Sequence, residues 1–281
     1  MDMAAYDPQA VARYFDSFGV GEYERHDRSP EQRVKFELHA QCLRRFVSPR
    51  SRVLEIGPGP GRFTEILAGM GCGVTVVELS AEQLRLNADR ARAGGYAGSI
   101  ETWLQGDICD LSALAGEQFD HIVAFGGPFS YVLERRGEAL RECQQVLAPG
   151  GHLLLSVMSK WGTIHAFLRA IAVLDVEEIQ AVTRTGDITP ATAPSSVEGG
   201  HFFHMFTARE LRAFLEDAGL VVELLAASNA VSTTWSELLL DEDHFAATLA
   251  LEEEATQAAG AVDMGTHIIA VAKGGAAPMP N

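Results

Sequence analysis

The stretch that decides the fold runs from Val53 to Gly61 and reads Val-Leu-Glu-Ile-Gly-Pro-Gly-Pro-Gly. An apolar run typical of a buried strand leads directly into three alternating glycines, and a helical pattern follows from Arg62. A second apolar run then ends in an acid, Glu78. This order predicts an open α/β sheet that binds a nucleoside at the carboxyl ends of its strands. The acid suits a ribose, because a carboxylate only accepts hydrogen bonds and the ribose hydroxyls donate them.

Two prolines in the glycine turn decide between classes of nucleoside. Pro58 and Pro60 have no backbone N–H, so the turn is a poor cradle for a pyrophosphate. The spacing of Gly57, Gly59 and Gly61 also differs from the Gly-x-Gly-x-x-Gly that is typical of NAD or FAD sites. The turn therefore favours a nucleoside with an amino-acid tail, S-adenosylmethionine, over a dinucleotide.

Further motifs follow in a fixed order along about a hundred residues. Gly106-Asp107 follows a third apolar run, residues 119–125 form a fourth, and Ala148-Pro149-Gly150-Gly151 leads into a fifth at 152–157. On these motifs the chain resembles the class I S-adenosylmethionine-dependent methyltransferases. The resemblance implies a Rossmann-like α/β fold, in which a seven-stranded, mostly parallel sheet with an antiparallel last strand carries helices on both faces. It also implies S-adenosylmethionine as cofactor, S-adenosylhomocysteine as product, and no metal.

The resemblance assigns roles to individual residues. It implies that Asp107 accepts a hydrogen bond from the adenine amino group and that the backbone N–H of Ile108 faces a ring nitrogen. Glu55 either orients the glycine turn or the ammonium group of the cofactor, or is a structural residue. The residues expected to bind the cofactor, three of them in the leading helical segment, are Tyr14, Tyr23, Arg33, Glu55, Gly57, Gly59, Gly61, Glu78, Leu79, Asp107, Ile108 and Phe125.

The pattern divides the chain into three predicted parts. Residues 1–50 form an N-terminal helical cap, residues 51–274 form the methyltransferase domain, and residues 275–281 form a disordered tail rich in Gly, Ala and Pro. Within the domain the regular pattern breaks at about 159–206, where Thr, Pro, Ser and Gly accumulate. We expect this insertion to act as a lid and to carry substrate specificity.

Local signals predict several helices and their ends. Ser80 is a typical N-cap residue, and Gln83 three positions later predicts a capping box. The acidic run Glu252–Glu254 is interpreted as a solvated helix face. Helical patterns extend over 8–18, 30–46, 161–182 and 235–259.

Composition argues against several classes of partner. The chain has 22 basic and 38 acidic residues, a formal net charge of −16, which disfavours nucleic acid and anionic membranes as partners. No apolar stretch approaches the roughly 20 residues that span a bilayer, and no leader pattern is seen at the amino terminus. Four widely spaced cysteines indicate reduced thiols in a cytoplasmic protein. The sequence leaves a homodimer open.

Candidates for substrate chemistry come from the second half of the domain. Histidine is the favoured general base because its pKa lies near neutrality, and the catalytic candidates are His201, His204 and His165. If the acceptor is already ionised or is a free amine, no base is needed and a histidine merely shapes the pocket. The aromatic residues expected to line the substrate pocket are Phe129, Tyr131, Trp161 and Phe202.

The predicted function is methyl transfer to a small molecule, a secondary metabolite of natural product biosynthesis, at an oxygen, nitrogen or carbon atom. Gly126-Gly127-Pro128-Phe129 stands where enzymes that methylate amino groups of DNA bases or protein glutamine carry an Asn/Asp-Pro-Pro-Tyr motif. This difference argues against those substrates. One alternative is methylation of a peptide or protein, at a terminal amine or a carboxylate. Another is a non-catalytic protein that only binds S-adenosylmethionine.

Overall fold

A computed structural model of the chain describes residues 5–172, 174–189, 202–232 and 241–275. The described strands are β1 Arg52–Ile56, β2 Gly73–Glu78, β3 Ile100–Gln105, β4 Phe119–Ala124, β5 Leu147–Met158, β6 Asp187–Ile188, β7 Phe203–His204, β8 Val221–Ala227 and β9 His267–Lys273. The described α-helices are α1 Pro8–Phe18, α2 Gly21–Glu24, α3 Pro30–Phe46, α4 Arg62–Gly69, α5 Ala81–Ala93, α6 Pro128–Tyr131, α7 Arg136–Val146, α8 Lys160–Ala166, α9 Leu168–Ile171, α10 Val176–Thr185, α11 Ala208–Asp217 and α12 Glu242–Ala255.

The main sheet has seven strands in the order β3-β2-β1-β4-β5-β9-β8. All neighbouring strands pair in parallel except β9, which is antiparallel to both β5 and β8. The predicted fold class is therefore confirmed, with the antiparallel last strand between β5 and β8. Apolar clusters cover the two faces of the sheet, one around Phe119 and Leu155 and the other around Val53 and Leu154. Because helices bury both faces, the central strands are nearly continuous apolar runs.

The predicted helices at 8–18 and 30–46 are confirmed as α1 and α3. The run at 161–182 was predicted as one helix, whereas the structure has three, α8, α9 and α10. The last of them begins anew because Asp175 and Glu178 form a reciprocal capping box. Strands β6 and β7 pair in a small antiparallel sheet that the sequence pattern did not predict.

The predicted helix over 235–259 is α12 in its described part, beginning after the N-cap Asp241. Residue 173 and residues 190–201 of the predicted lid, residues 233–240 and the tail beyond 275 lie outside the described residues. Among the described residues, no helix is long and apolar enough to cross a bilayer.

The interpretation of Glu252 as solvated is wrong. Its side chain is fully buried, and its carboxylate accepts hydrogen bonds from the backbone N–H groups of Ala230, Val231 and Ser232 at 2.7, 3.0 and 2.7 Å. A carboxylate that is taken out of water needs such donors. Glu252 thereby fixes the loop that follows β8.

The amino-terminal segment is fastened to the domain by Gln83. Ser80 caps α5 as predicted, accepting from the backbone N–H of Gln83 at 3.1 Å. The predicted reciprocal bond is absent, because the backbone N–H of Ser80 donates to Glu78 at 2.9 Å. The Gln83 side-chain amide instead donates to the carbonyls of Phe15 and Gly19 at 2.8 and 3.1 Å. This side chain therefore links α5 to the carboxyl end of α1.

Candidate functional site

A cavity of about 990 Å³, counted to its open mouth, lies where the carboxyl ends of β1, β2 and β4 meet. Helix α1 and the segment after it form its outer wall. Nine of the residues that the sequence assigned to the cofactor or substrate lie on its walls, namely Glu55, Gly57, Gly59, Glu78, Leu79, Asp107, Ile108, Phe125 and Tyr131.

The glycine turn has a backbone that other residues rarely adopt. Gly57 and Gly59 have φ of +64° and +55°, values that side chains with a Cβ disfavour. A Cβ on Gly57 would also lie 2.9 Å from Cγ of Pro128. The turn can therefore lie close to both α6 and the cavity only because these positions lack side chains.

Glu78 holds this turn in place. Its carboxylate accepts hydrogen bonds from the backbone N–H groups of Gly59 and Ser80, each at 2.9 Å. Burial raises the pKa of Glu78 to about 7, although these N–H donors oppose the shift. The carboxylate thus joins the end of β2 to the turn after β1.

Glu55 is the second buried carboxylate on the cavity wall, with 2% of its surface exposed. The Thr64 hydroxyl donates to Glu55 Oε2 at 2.6 Å. Burial raises the pKa of Glu55 to about 8, the Thr64 bond opposes this shift, and the charge of Glu78 adds to it. Neither carboxylate forms an ion pair with a described residue.

These residues fit S-adenosylmethionine. The cavity wall presents buried acceptors that lack a cation, and the cofactor carries hydroxyl and amino donors together with a positive charge. A ligand of this kind would supply the compensation that burial denies to Glu55 and Glu78. On this ground, Glu78 would hold the ribose and Glu55 a cationic part of the cofactor.

The adenine end would lie near Asp107, where the structure adds a residue that the sequence did not indicate. Asp107 Oδ1 accepts from the backbone N–H of Cys109 at 2.8 Å. Tyr6 lies on the wall beside it, and burial together with the Asp107 carboxylate raises the pKa of the Tyr6 phenol. Tyr6 comes from the segment before α1, where no motif marks it.

Other wall residues missed by the sequence interpretation also come from the leading segment. Phe15, Glu22 and Arg25 lie on the wall, and Glu22 pairs with Arg25 at 2.8 Å. Burial raises the pKa of Glu22, and Arg25 opposes this shift. A segment without a regular motif gives no sequence signal for which of its side chains face inward.

The structure places the predicted cap contacts elsewhere. Tyr14 does not lie on the wall, and its ring packs on Phe15 and Phe18 of its own helix. Arg33 pairs with Glu242 at 2.7 Å on the protein surface.

Tyr23 is also absent from the wall and instead holds the α2 segment to the domain. The guanidinium groups of Arg62 and Arg90 both contact its ring, at 4.0 and 3.2 Å from the ring centroid. Gly61 is likewise absent from the wall and lies against α5, where an added Cβ would be 2.9 Å from Nδ2 of Asn87.

His204 is not arranged as a general base. It is 2% exposed, Nδ1 lies 2.7 Å from Asp187 and Nε2 lies 2.8 Å from Glu210. Burial alone would lower the pKa of His204, but the hydrogen bonds to both carboxylates outweigh it and raise this pKa. Because both ring nitrogens are engaged, His204 serves to join β6 and β7 to α11.

The remaining predicted residues are scattered. His165 is exposed on α8, Trp161 is 49% exposed, and Phe129 is fully buried in the core. Phe202 is buried in a cluster with Tyr131, whose ring does lie on the wall. His201 lies outside the described residues. Among the described residues, no group of three or more His, Cys, Asp or Glu side chains could hold a metal ion.

Comparison with known proteins relates part of the chain to methyltransferases. A family model described as a methyltransferase domain matches residues 54–155, from β1 to β5. A ubiquinone biosynthesis O-methyltransferase of Xanthomonas euvesicatoria pv. vesicatoria is 30% identical over 181 residues. One from Xanthomonas oryzae pv. oryzae is 28% identical over 177 residues. Each alignment covers 62% of this chain and 64% of the relative, which is less than two thirds of the relative's length.

Solved structures share the fold along nearly the whole chain. The 4+2 cyclase SpnF superposes with a TM-score of 0.62 at 18% identity, covering 98% of both chains. The CcbJ methyltransferase of Streptomyces caelestis superposes with a TM-score of 0.56 at 16% identity, covering 86% of this chain and 90% of that one. At these identities the likeness shows the fold alone, since one fold hosts many functions.

Proposed function

We propose that this chain is a class I S-adenosylmethionine-dependent methyltransferase, as the matched methyltransferase domain supports, and that it transfers a methyl group to an oxygen atom of a small molecule. The observation that carries the proposal is the pair of buried carboxylates, Glu55 and Glu78, that face the cavity without a cation. The names of the curated relatives favour oxygen as the acceptor atom.

The chemistry asks mainly for positioning. A sulfonium is a good leaving group, so the cofactor supplies an activated methyl group once it is bound. The protein must then hold an acceptor oxygen close and in line with that group. Phe15, Phe63, Phe125 and Tyr131 give the cavity an apolar section that would exclude water from the transfer.

The proton of the acceptor needs a separate account. None of the described histidines lies on the cavity wall. We therefore propose an acceptor oxygen that ionises near neutral pH without a histidine base, such as a carboxylic acid or a phenol whose pKa is lowered by electron-withdrawing substituents. His201 stays a prediction as general base, and an unaltered pH profile of turnover in His201→Gln would exclude that role.

The experiment is turnover with S-adenosylmethionine and a panel of phenols, carboxylic acids and short peptides. Release of S-adenosylhomocysteine together with the mass gain of one methyl group on a phenol or acid is expected. Methylation of peptides alone would replace this proposal with the peptide alternative. Tight binding of S-adenosylhomocysteine with no turnover on any acceptor class would favour a non-catalytic binder.

A further inference from the structure

Four side chains from four elements form one chain of hydrogen bonds behind the cavity. Trp103 Nε1 on β3 donates to Asn87 Oδ1 on α5 at 3.0 Å. Asn87 Nδ2 donates to Thr64 Oγ1 on α4 at 3.0 Å, and Thr64 donates to Glu55 Oε2 on β1 at 2.6 Å. Asn87 and Thr64 are completely buried.

The direction of this chain is fixed by its first member. An indole N–H can only donate, so the Asn87 atom that it contacts must be the amide oxygen. The amide nitrogen of Asn87 therefore faces Thr64, and since it too can only donate, the Thr64 oxygen must accept. The hydroxyl proton of Thr64 is then available only for Glu55 Oε2. It follows that a proton on Glu55 would have to reside on Oε1.

Asn87 is also bound to the glycine turn. Its Nδ2 lies 3.3 Å from the carbonyl oxygen of Gly59, the residue whose N–H is held by Glu78. The absence of a side chain at Gly61 makes room for the Asn87 amide, because a Cβ there would lie only 2.9 Å from Asn87 Nδ2. One buried amide thus contacts both the turn and the hydroxyl that sets the orientation of Glu55.

We propose that Asn87 is a positioning residue for the cofactor: through Thr64 it holds Glu55 so that Oε2 accepts from the protein and Oε1 is left for a cationic group of the ligand. This inference deepens the proposed function, since it rests on S-adenosylmethionine as the ligand. Asn87 itself does not lie on the cavity wall.

The arrangement has a consequence for protonation. The pKa of Glu55, raised by burial, is lowered by the Thr64 bond and raised by Glu78 on β2, while Tyr96 after α5 also interacts with Glu55. The ionised carboxylate would bind the α-ammonium group, which S-adenosylhomocysteine shares with S-adenosylmethionine, so affinity should rise with pH until Glu55 is ionised. Loss of the Thr64 donor should move that rise to higher pH.

The test is calorimetric binding of S-adenosylhomocysteine between pH 6 and pH 9, without any acceptor substrate. Thr64→Val keeps the shape of the side chain and removes the donor. Asn87→Asp keeps the bond from Trp103 but offers Thr64 a competing acceptor. In both variants we expect about tenfold weaker binding at pH 7 and a rise of affinity displaced upward by about one pH unit, since one hydrogen bond corresponds to about one pKa unit. Thr64→Ser should restore the wild-type profile.

Ser51→Ala is the matched control, because it removes a buried hydroxyl that bonds to the Ser48 carbonyl rather than to this chain of side chains. Its pH profile should equal that of the wild type. The proposal is overturned if Thr64→Val and Asn87→Asp keep the wild-type midpoint, or if Ser51→Ala shifts it equally. Because turnover is not measured, these outcomes do not depend on which acceptor is methylated.

Discussion

Replacing Glu55 with Gln should stabilise the ligand-free protein and weaken cofactor binding at the same time. The pKa of Glu55 is raised from 4.5 to about 8. A group whose pKa is raised by folding contributes stability that is fully present below its pKa in the unfolded chain. That stability is lost as the pH rises through its pKa in the folded protein. A pH of 7 is about 2.5 units above the pKa that Glu55 has in the unfolded chain. Keeping the buried Glu55 protonated at this pH therefore costs the folded state about 3 kcal/mol. A Gln side chain carries no proton equilibrium and so avoids this cost, and its amide oxygen can still accept the Thr64 hydrogen bond.

The assay is urea unfolding of ligand-free wild type and Glu55→Gln at pH 5 and pH 7.5. The variant should gain about 3 kcal/mol at the higher pH and much less at pH 5. Its affinity for S-adenosylhomocysteine should fall by roughly 10- to 100-fold, the loss of one charge-assisted hydrogen bond. Glu216→Gln, at an exposed ion pair on α11, is the control and should change neither quantity. A Glu55→Gln protein that is no more stable than wild type at pH 7.5, or that binds as tightly, would refute the reasoning.

Three further results are expected. Glu78→Ala should weaken S-adenosylhomocysteine binding by at least tenfold in calorimetry, because it removes the expected ribose acceptor and releases the N–H of Gly59; unchanged affinity in a folded variant would remove this assignment. His204→Gln should lower the free energy of unfolding at pH values below the raised pKa of His204, because the imidazolium then binds both Asp187 and Glu210. The loss of stability should shrink as the pH rises through that pKa. Equal unfolding midpoints of wild type and variant at all pH values would contradict this role of His204. Amide hydrogen exchange in residues 15–27 should slow when S-adenosylhomocysteine is added, because this segment forms part of the cavity wall; equal exchange in both states would show that it does not close on the ligand.

The strands and the residues at their carboxyl ends follow from local sequence patterns. The glycine turn, Glu78 and Asp107 each stand directly after a strand, and the carboxyl ends of parallel strands share one edge of the sheet. Residues tied to strand ends in this way are placed as soon as the strands are recognised. This is why the wall residues on the sheet side of the cavity could be predicted without the structure.

Side chains outside the strand ends could not be predicted in the same way, because their position depends on contacts distant in sequence. The sequence predicts His204 as a candidate general base because it lies in an aromatic segment. In the structure both of its ring nitrogens contact carboxylates from other elements, Asp187 on β6 and Glu210 on α11. Glu252 looked solvated in an acidic run, yet it binds three backbone N–H groups after β8.

The sequence by itself thus determined the individual strands of the sheet core and the glycine turn between β1 and α4, because each depends on residues within a few positions of one another. Tertiary structure alone decided which amino-terminal side chains reach the cavity and how Glu55 is held. The hydrogen bonds from Trp103 through Asn87 and Thr64 join residues on four separate elements. These donors and acceptors bond to one another only when the four elements pack together, because water cannot reach buried polar groups and they need another partner.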